Sequence, residues 1–190
     1  MRSSAASDVY KRQIHNGCVL ISQHADSMGA PTACESEGVP NVSYNGSTQQ
    51  ACPNTFIVSS RIDWAPYFEH AIDCVKNGKD IEKDWTGNLS TGSVVLTDVN
   101  TQAAAEGTQE AINAAKAKLE SGEIHVFDTS TFTVTVADNK NVNAKVDADG
   151  HLTSYMADVD TDEAYTPDTE AVSDGYFHES EFRSAPYFDI

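Results

Sequence analysis

Positive charge is scarce in this 190-residue chain: 12 lysines and arginines stand against 29 aspartates and glutamates, a formal net charge of −17 at pH 7. A surface of that sign repels phosphate backbones and argues against nucleic acid as a partner. No apolar run is long enough to span a bilayer, although 39% of the residues are hydrophobic, enough for a real core. A glycine-rich phosphate loop is missing, as is a GxSxG elbow that would raise one serine above the others. His178-Glu179 lacks the second histidine of HExxH. The four cysteines (Cys18, Cys34, Cys52, Cys74) are widely spaced, with no CxxC, so zinc-ribbon and thioredoxin patterns are absent. Cys34 and Cys52 flank one predicted strand; a bridge between them and buried free thiols are both open readings. Asp158-x-Asp160-x-Asp162 starts like a calcium loop, but Glu163 stands where the loop needs glycine and Thr169 where it needs glutamate. No metal and no cofactor are expected.

The opening MRSSAASDVYKRQ is polar and rich in serine and alanine, without the apolar segment of a secretory signal. It resembles a translated adapter-like leader found at the ends of reading frames from metagenomic assemblies. Residues 1–13 are therefore set aside as an artefactual or disordered leader, with the native N-terminus expected upstream. His15-Asn16-Gly17-Cys18 ends like a lipobox, but no hydrophobic segment precedes it, and it is not read as one.

Beyond the leader, one grammar repeats. Cys18 to Gln23 reads as a short buried strand, and a helix follows from about Met28 to Glu37, with Gly38 as its stop. Val39 to Tyr44 is a second strand, ending in the turn signal Asn45-Gly46. A third, Thr55 to Ser59, runs into Asp63 as N-cap and a helix from Ala65 to Asn77. Strands alternating with helices imply an α/β fold with a doubly wound parallel sheet. Ser93 to Leu96 is a further strand, and Thr101 to Glu120 reads as one alanine-rich helix with Ile112 and Leu119 on its apolar side. The period then changes to two: Phe132, Val134 and Val136, then Val142, Ala144 and Val146, predict a small antiparallel ribbon. From Asp158 the acidic tail reads as irregular, with a short helix near Ser173 to Arg183.

Ligands of open parallel sheets bind outside the carboxyl ends of the strands. By that rule the first strand delivers His24, Asp26 and Ser27 to one rim, the second Asn45, and the third Arg61, Asp63 and Trp64. Carboxylate and amide groups beside an aromatic plate suit a neutral polyhydroxylated or heteroaromatic small molecule. Each residue has a plainer role as well. Asp63 caps a helix, Trp64 packs in a core, Asn45 makes a turn before Gly46, and His24 is a loop histidine. Asp26 is hardest to dismiss, because an acid just past a buried strand wants a partner.

QHADS (Gln23 to Ser27), Ala33-Cys-Glu-Ser-Glu-Gly-Val39, Val42-Ser-Tyr-Asn45 and Ile62-Asp-Trp-Ala-Pro-Tyr-Phe68 together resemble the basic membrane protein family. So do Gly92-Ser-Val-Val-Leu96 and Lys118-Leu-Glu-Ser-Gly-Glu-Ile-His-Val-Phe127. These are purine-nucleoside-receptor-like lipoproteins that serve ABC importers as substrate-binding subunits. The resemblance spans Cys18 to Phe127 well, the tail loosely, and only the second half of the family's chain. It implies a type I periplasmic-binding-protein-like fold, here an incomplete two-lobe form. Residues 14–60 would be the remainder of the C-terminal lobe, 61–92 a hinge and a helix crossing to the N-terminal lobe, 93–127 a returning hinge strand and helix, and 128–190 a hairpin and acidic extension. It further implies a purine nucleobase or nucleoside as ligand, ABC permease subunits as partners, an extracytoplasmic and lipid-anchored parent, and no catalysis. Carried over by position, Asp26 and Ser27 fall in an HxDS motif and Trp64 in a DWxPY motif. Asn45 stands where many relatives have an aspartate that binds ribose hydroxyls, which shifts the expectation from the sugar toward the base. A nucleoside-processing enzyme with Asp26 as base is the alternative.

Overall fold

The computed structural model describes residues 3–135, 143–160, 163–178 and 182, which divide into two compact units. The first comprises residues 1–81 and 87–116, the second residues 82–86 and 117–190.

The first unit is built on a four-stranded sheet in the order β1 (Ile21–Ser22), β2 (Asn41–Tyr44), β3 (Phe56–Ile62), β4 (Val94–Leu96). β1, β2 and β3 run parallel, and β4 closes the edge antiparallel to β3. Helix α2 (Gly29–Glu37) crosses from β1 to β2 and buries Ala30, Pro31, Ala33 and Cys34. It stops where Gly38 takes a left-handed φ of 69° and returns its N–H to the Cys34 carbonyl. The inner face of β2 is polar but internally satisfied: Asn41 Nδ2 donates to Thr55 Oγ1 at 3.1 Å, and Ser43 Oγ donates to Asn41 Oδ1 at 3.2 Å. Phe56, Val58 and Ser59 of β3 are buried beside it. Helix α3 (Ala65–Lys76) follows β3 and buries only Cys74.

Several elements depart from the sequence-based expectations. The segment set aside as a leader contains helix α1 (Ser3–His15), which is joined to α2. Tyr10 and Ile14, one turn apart, pack against Ile21, Ala30 and Cys34, and Lys11 pairs with Glu37 at 3.6 Å. The expected strand over Cys18 to Gln23 shrinks to Ile21–Ser22, because Val19 and Leu20 are 81% and 49% exposed. The alanine-rich helix α4 (Thr108–Ser121) begins seven residues later than expected. Asn100 takes that place instead: its buried side-chain amide donates to the carbonyls of Pro53 and Phe56, both at 2.8 Å, and its own carbonyl anchors a turn over Ala103 and Ala104.

In the second unit, the antiparallel ribbon exists but lies later in the chain than the alternation of residues 132–146 suggested. β5 (Ala144–Val146) pairs with β6 (Leu152–Ala157), and β6 with β7 (Thr169–Glu170). The hairpin turns over Asp147, whose carboxylate accepts the N–H groups of Asp149 and His151, both at 2.9 Å. Phe132 and Val134 are not in a strand, while Val136 and Val142 lie outside the described residues. No helix forms over Ser173 to His178. β8 (Val172–Ser173) and β9 (Tyr176–Phe177) form a hairpin over Asp174-Gly175, both at positive φ, as a two-residue turn requires. Leu152, Tyr155, Ala157, Ala171, Val172 and Phe177 make this unit's core.

Candidate functional site

The parallel pairing of Ser22 with Val42 points the carboxyl ends of β1 and β2 the same way. The loops that leave them therefore face each other across a cleft of about 290 Å³. Its walls come from Gln23, Ala25, Asp26, Ser27 and Met28 on one side, and from Tyr44, Asn45, Gly46, Ser47 and Thr48 on the other. Three of the expected residues, Asp26, Ser27 and Asn45, are thus brought together. Asn45 adopts a left-handed φ of 65° and donates its backbone N–H to the Ser60 carbonyl at 2.6 Å. It is both the turn residue and a wall residue, since an asparagine tolerates this conformation better than most side chains.

Among the described residues, neither Asp26 nor Asn45 has a side-chain hydrogen bond or ion pair, so both remain able to bond a solute. The loop is braced from within: Gln23 Nε2 donates to the Ser27 carbonyl at 3.3 Å. Its Oε1 is buried without a hydrogen-bond partner among the described residues. Opposite, Thr48 Oγ1 lies 2.8 Å from Ser43 Oγ and fixes the far wall to β2.

His24 does not line the cleft. Its ring stacks on Tyr44, centroids 4.2 Å apart, and so braces one wall residue. Asp63 and Trp64 do not line it either. Asp63 Oδ1 accepts the Ala65 N–H at 3.0 Å and its Oδ2 lies 3.5 Å from Arg61, so it serves the helix start and an ion pair. Trp64 is 59% exposed at the head of α3, with Phe68 as a ring neighbour at 6.4 Å. Arg61 borders a second cavity of about 330 Å³ with Gln49, Thr97 and Asp98, and Ser47 borders both. Sequence reasoning missed Gln23, Tyr44 and Thr48. The signal for Tyr44 was its place at the last residue of β2; Thr48 carried none, because the loop after Gly46 had no predicted shape.

Two carboxylates outside the cleft each brace their own unit, Glu35 the first and Glu170 the second. Burial pushes the Glu35 carboxyl upward. Hydrogen bonds from the Thr55 hydroxyl and from Asn54 outweigh it and leave the group below its ordinary value. In the second unit, burial likewise raises Glu170, while bonds from Ser154, Tyr155 and Val172 bring it below the usual carboxylate range.

An α/β fold with a parallel sheet and a small antiparallel sheet is the fold class of periplasmic solute-binding proteins. One solved structure of that class is similar: a solute-binding protein of an ABC transporter system from Conexibacter woesei DSM 14684. It superposes with a TM-score of 0.53 at 17% sequence identity, over 65% of this chain and 42% of its own length. The chain thus spans under half of that structure. No protein-family model matches the sequence, and no curated protein does.

Proposed function

We propose that this chain is part of an extracytoplasmic solute-binding protein of an ABC importer, and that the cleft between the ends of β1 and β2 is one wall of its ligand site. The observation that carries the reading is the convergence of Asp26 and Asn45 on one cleft with their side chains unpaired among the described residues. A carboxylate acceptor beside an amide that both donates and accepts suits the edge of a purine base, the ligand preferred on sequence resemblance. The basic-membrane-protein resemblance and the lipid anchor of a full-length parent belong to this proposal, as do its permease partners.

The exposure of Trp64, Phe68, Ile72 and Val75 along one face of α3 supports a two-lobe parent. Such a stripe is what a globular helix ordinarily buries. On this reading α3 crosses toward an opposite lobe, and Trp64 and Asp63 belong to that side of the pocket. Ligand would bind between the lobes and favour the closed form by its differential affinity. A single wall binds weakly. The test is to titrate adenine and adenosine into this chain and follow backbone amide shifts: changes centred on residues 23–28 and 44–48 are expected. Changes elsewhere only, or none, would end the assignment. Conversion of the nucleoside, abolished by Asp26→Asn, would favour the enzyme instead.

A further inference from the structure

We propose that Cys34 and Cys52 form an oxidation site, joining as a disulfide that ties α2 to the turn leading into β3. Both residues are completely buried, and all four cysteines are free thiols here. Cys34 lies on the inner face of α2, one turn beyond Ala30. Cys52 closes the turn that begins at Thr48, to whose carbonyl it returns its N–H at 3.1 Å. A clamp beside both thiols holds the two elements together: Glu35 accepts the Asn54 N–H at 3.2 Å, Asn54 Nδ2 at 2.6 Å and the Thr55 hydroxyl at 2.8 Å. The residue after Cys34 is thereby fixed to residues two and three beyond Cys52. Burial, and after it the neighbouring Cys52 thiol, push the Cys34 thiol up to about 11.

The pair differs from the other two thiols. Cys18 is exposed, and Cys74 lies on α3 with its sulfur 3.7 Å from His70 Nε2. Cys52 Sγ now donates to the Thr48 carbonyl at 3.0 Å, a weak bond that the bridge replaces. Thr48 keeps its contact with Ser43.

The oxidant is an external disulfide such as oxidised glutathione. One cysteine thiolate attacks it, forming a mixed disulfide and releasing one glutathione thiolate, which takes up a proton. The second cysteine, as thiolate, then displaces the second glutathione. Two protein thiols become one disulfide, and both electrons pass to the glutathione disulfide, which leaves as two thiols. A buried thiol with a raised pKa is a poor nucleophile, so exchange proceeds in states where α2 has lifted from the turn. Once closed, the bridge is shielded from reductant by the same burial.

The experiment refolds the full chain from denaturant, once with reduced and oxidised glutathione together and once with excess reductant. Free thiols are then alkylated and peptides mapped by mass. Oxidative refolding is expected to give a linked peptide pair containing Cys34 and Cys52, with Cys18 and Cys74 alkylated. The cysteines of the bridge are eighteen positions apart, and closing such a loop should raise the melting temperature by about 5–10 °C over the reduced protein. Treating the already folded, reduced chain should give the same link far more slowly. Alkylation of both Cys34 and Cys52 after oxidative refolding, or their pairing with Cys18 or Cys74, would overturn the assignment. The result stands apart from the solute-binding reading, since it is measured without ligand.

Discussion

The imidazole of His24 lies nearly flat against the phenol of Tyr44, with ring centroids 4.2 Å apart and 21° between their planes. The contact joins the loop after β1 to the last residue of β2, the two elements that form the cleft. Tyr44 faces the cleft and His24 does not. A stacked aromatic pair contributes about 0.5–1.5 kcal/mol beyond its buried area.

His24 is therefore a positioning residue. His24→Ala should weaken purine binding by about two- to tenfold, and His24→Phe should restore most of it. The affinities are read from the concentration dependence of the amide shifts. Equal loss in both variants would mean that the imidazole nitrogens themselves touch the ligand.

Glu35 sets a limit on acid stability. Its carboxyl sits below the ordinary value in the folded chain, against about 4.3 unfolded. Its stabilising contribution is thus complete above about pH 5, and it is lost as the pH falls below about 4 and through the folded pKa. Glu35→Ala should cost about 1 kcal/mol at pH 7, a value discounted for its partial exposure, and flatten that acid-side loss. Urea melts of both proteins at pH 7 and pH 3 check this; an equal deficit at both pH values would contradict it.

His151 behaves in the opposite sense. Its Nδ1 lies 2.8 Å from the Phe132 carbonyl, and that bond, with the Asp147 carboxylate, raises its pKa above the ordinary 6.5. The stability it contributes is fully present below pH 6.5 and is lost as the pH rises through the folded value. A proton NMR titration should find the His151 ring titrating above 6.5, and Asp147→Asn should lower that midpoint. A midpoint at or below 6.5 would remove the contact's role.

Trp64 should matter little to this chain's stability. It is 59% exposed, and Trp64→Ala is expected to change the unfolding free energy by no more than about 0.5 kcal/mol. Iodide should quench its fluorescence readily. A loss of several kcal/mol would show that α3 is packed more tightly than its exposed stripe indicates.

The strand–helix–strand core was legible because glycine and asparagine punctuate it: Gly38, Asn45-Gly46 and Gly78 fall where the elements end. Cys18 to Leu20 misled, since hydrophobicity alone does not say whether anything packs on a segment. The resemblance of residues 1–13 to a leader says nothing of their conformation, whereas Tyr10 and Ile14 have the four-residue spacing of the face that α1 buries. The β8–β9 hairpin was announced by Asp174-Gly175, a turn signal lost in an acidic tail. At the site, the meeting of Asp26 with Asn45 followed from parallel strand order alone. The parallel run of β3 points to Trp64 as well, but Trp64 sits exposed at the head of α3 and outside the cleft lining.

The most direct test is the amide-shift titration of the wild-type chain and Asp26→Ala with adenine. The account predicts saturable shifts at residues 23–28 and 44–48, and at least a tenfold loss of affinity in Asp26→Ala with the fold unchanged. Wild-type and variant spectra that respond identically, or do not respond, would contradict it.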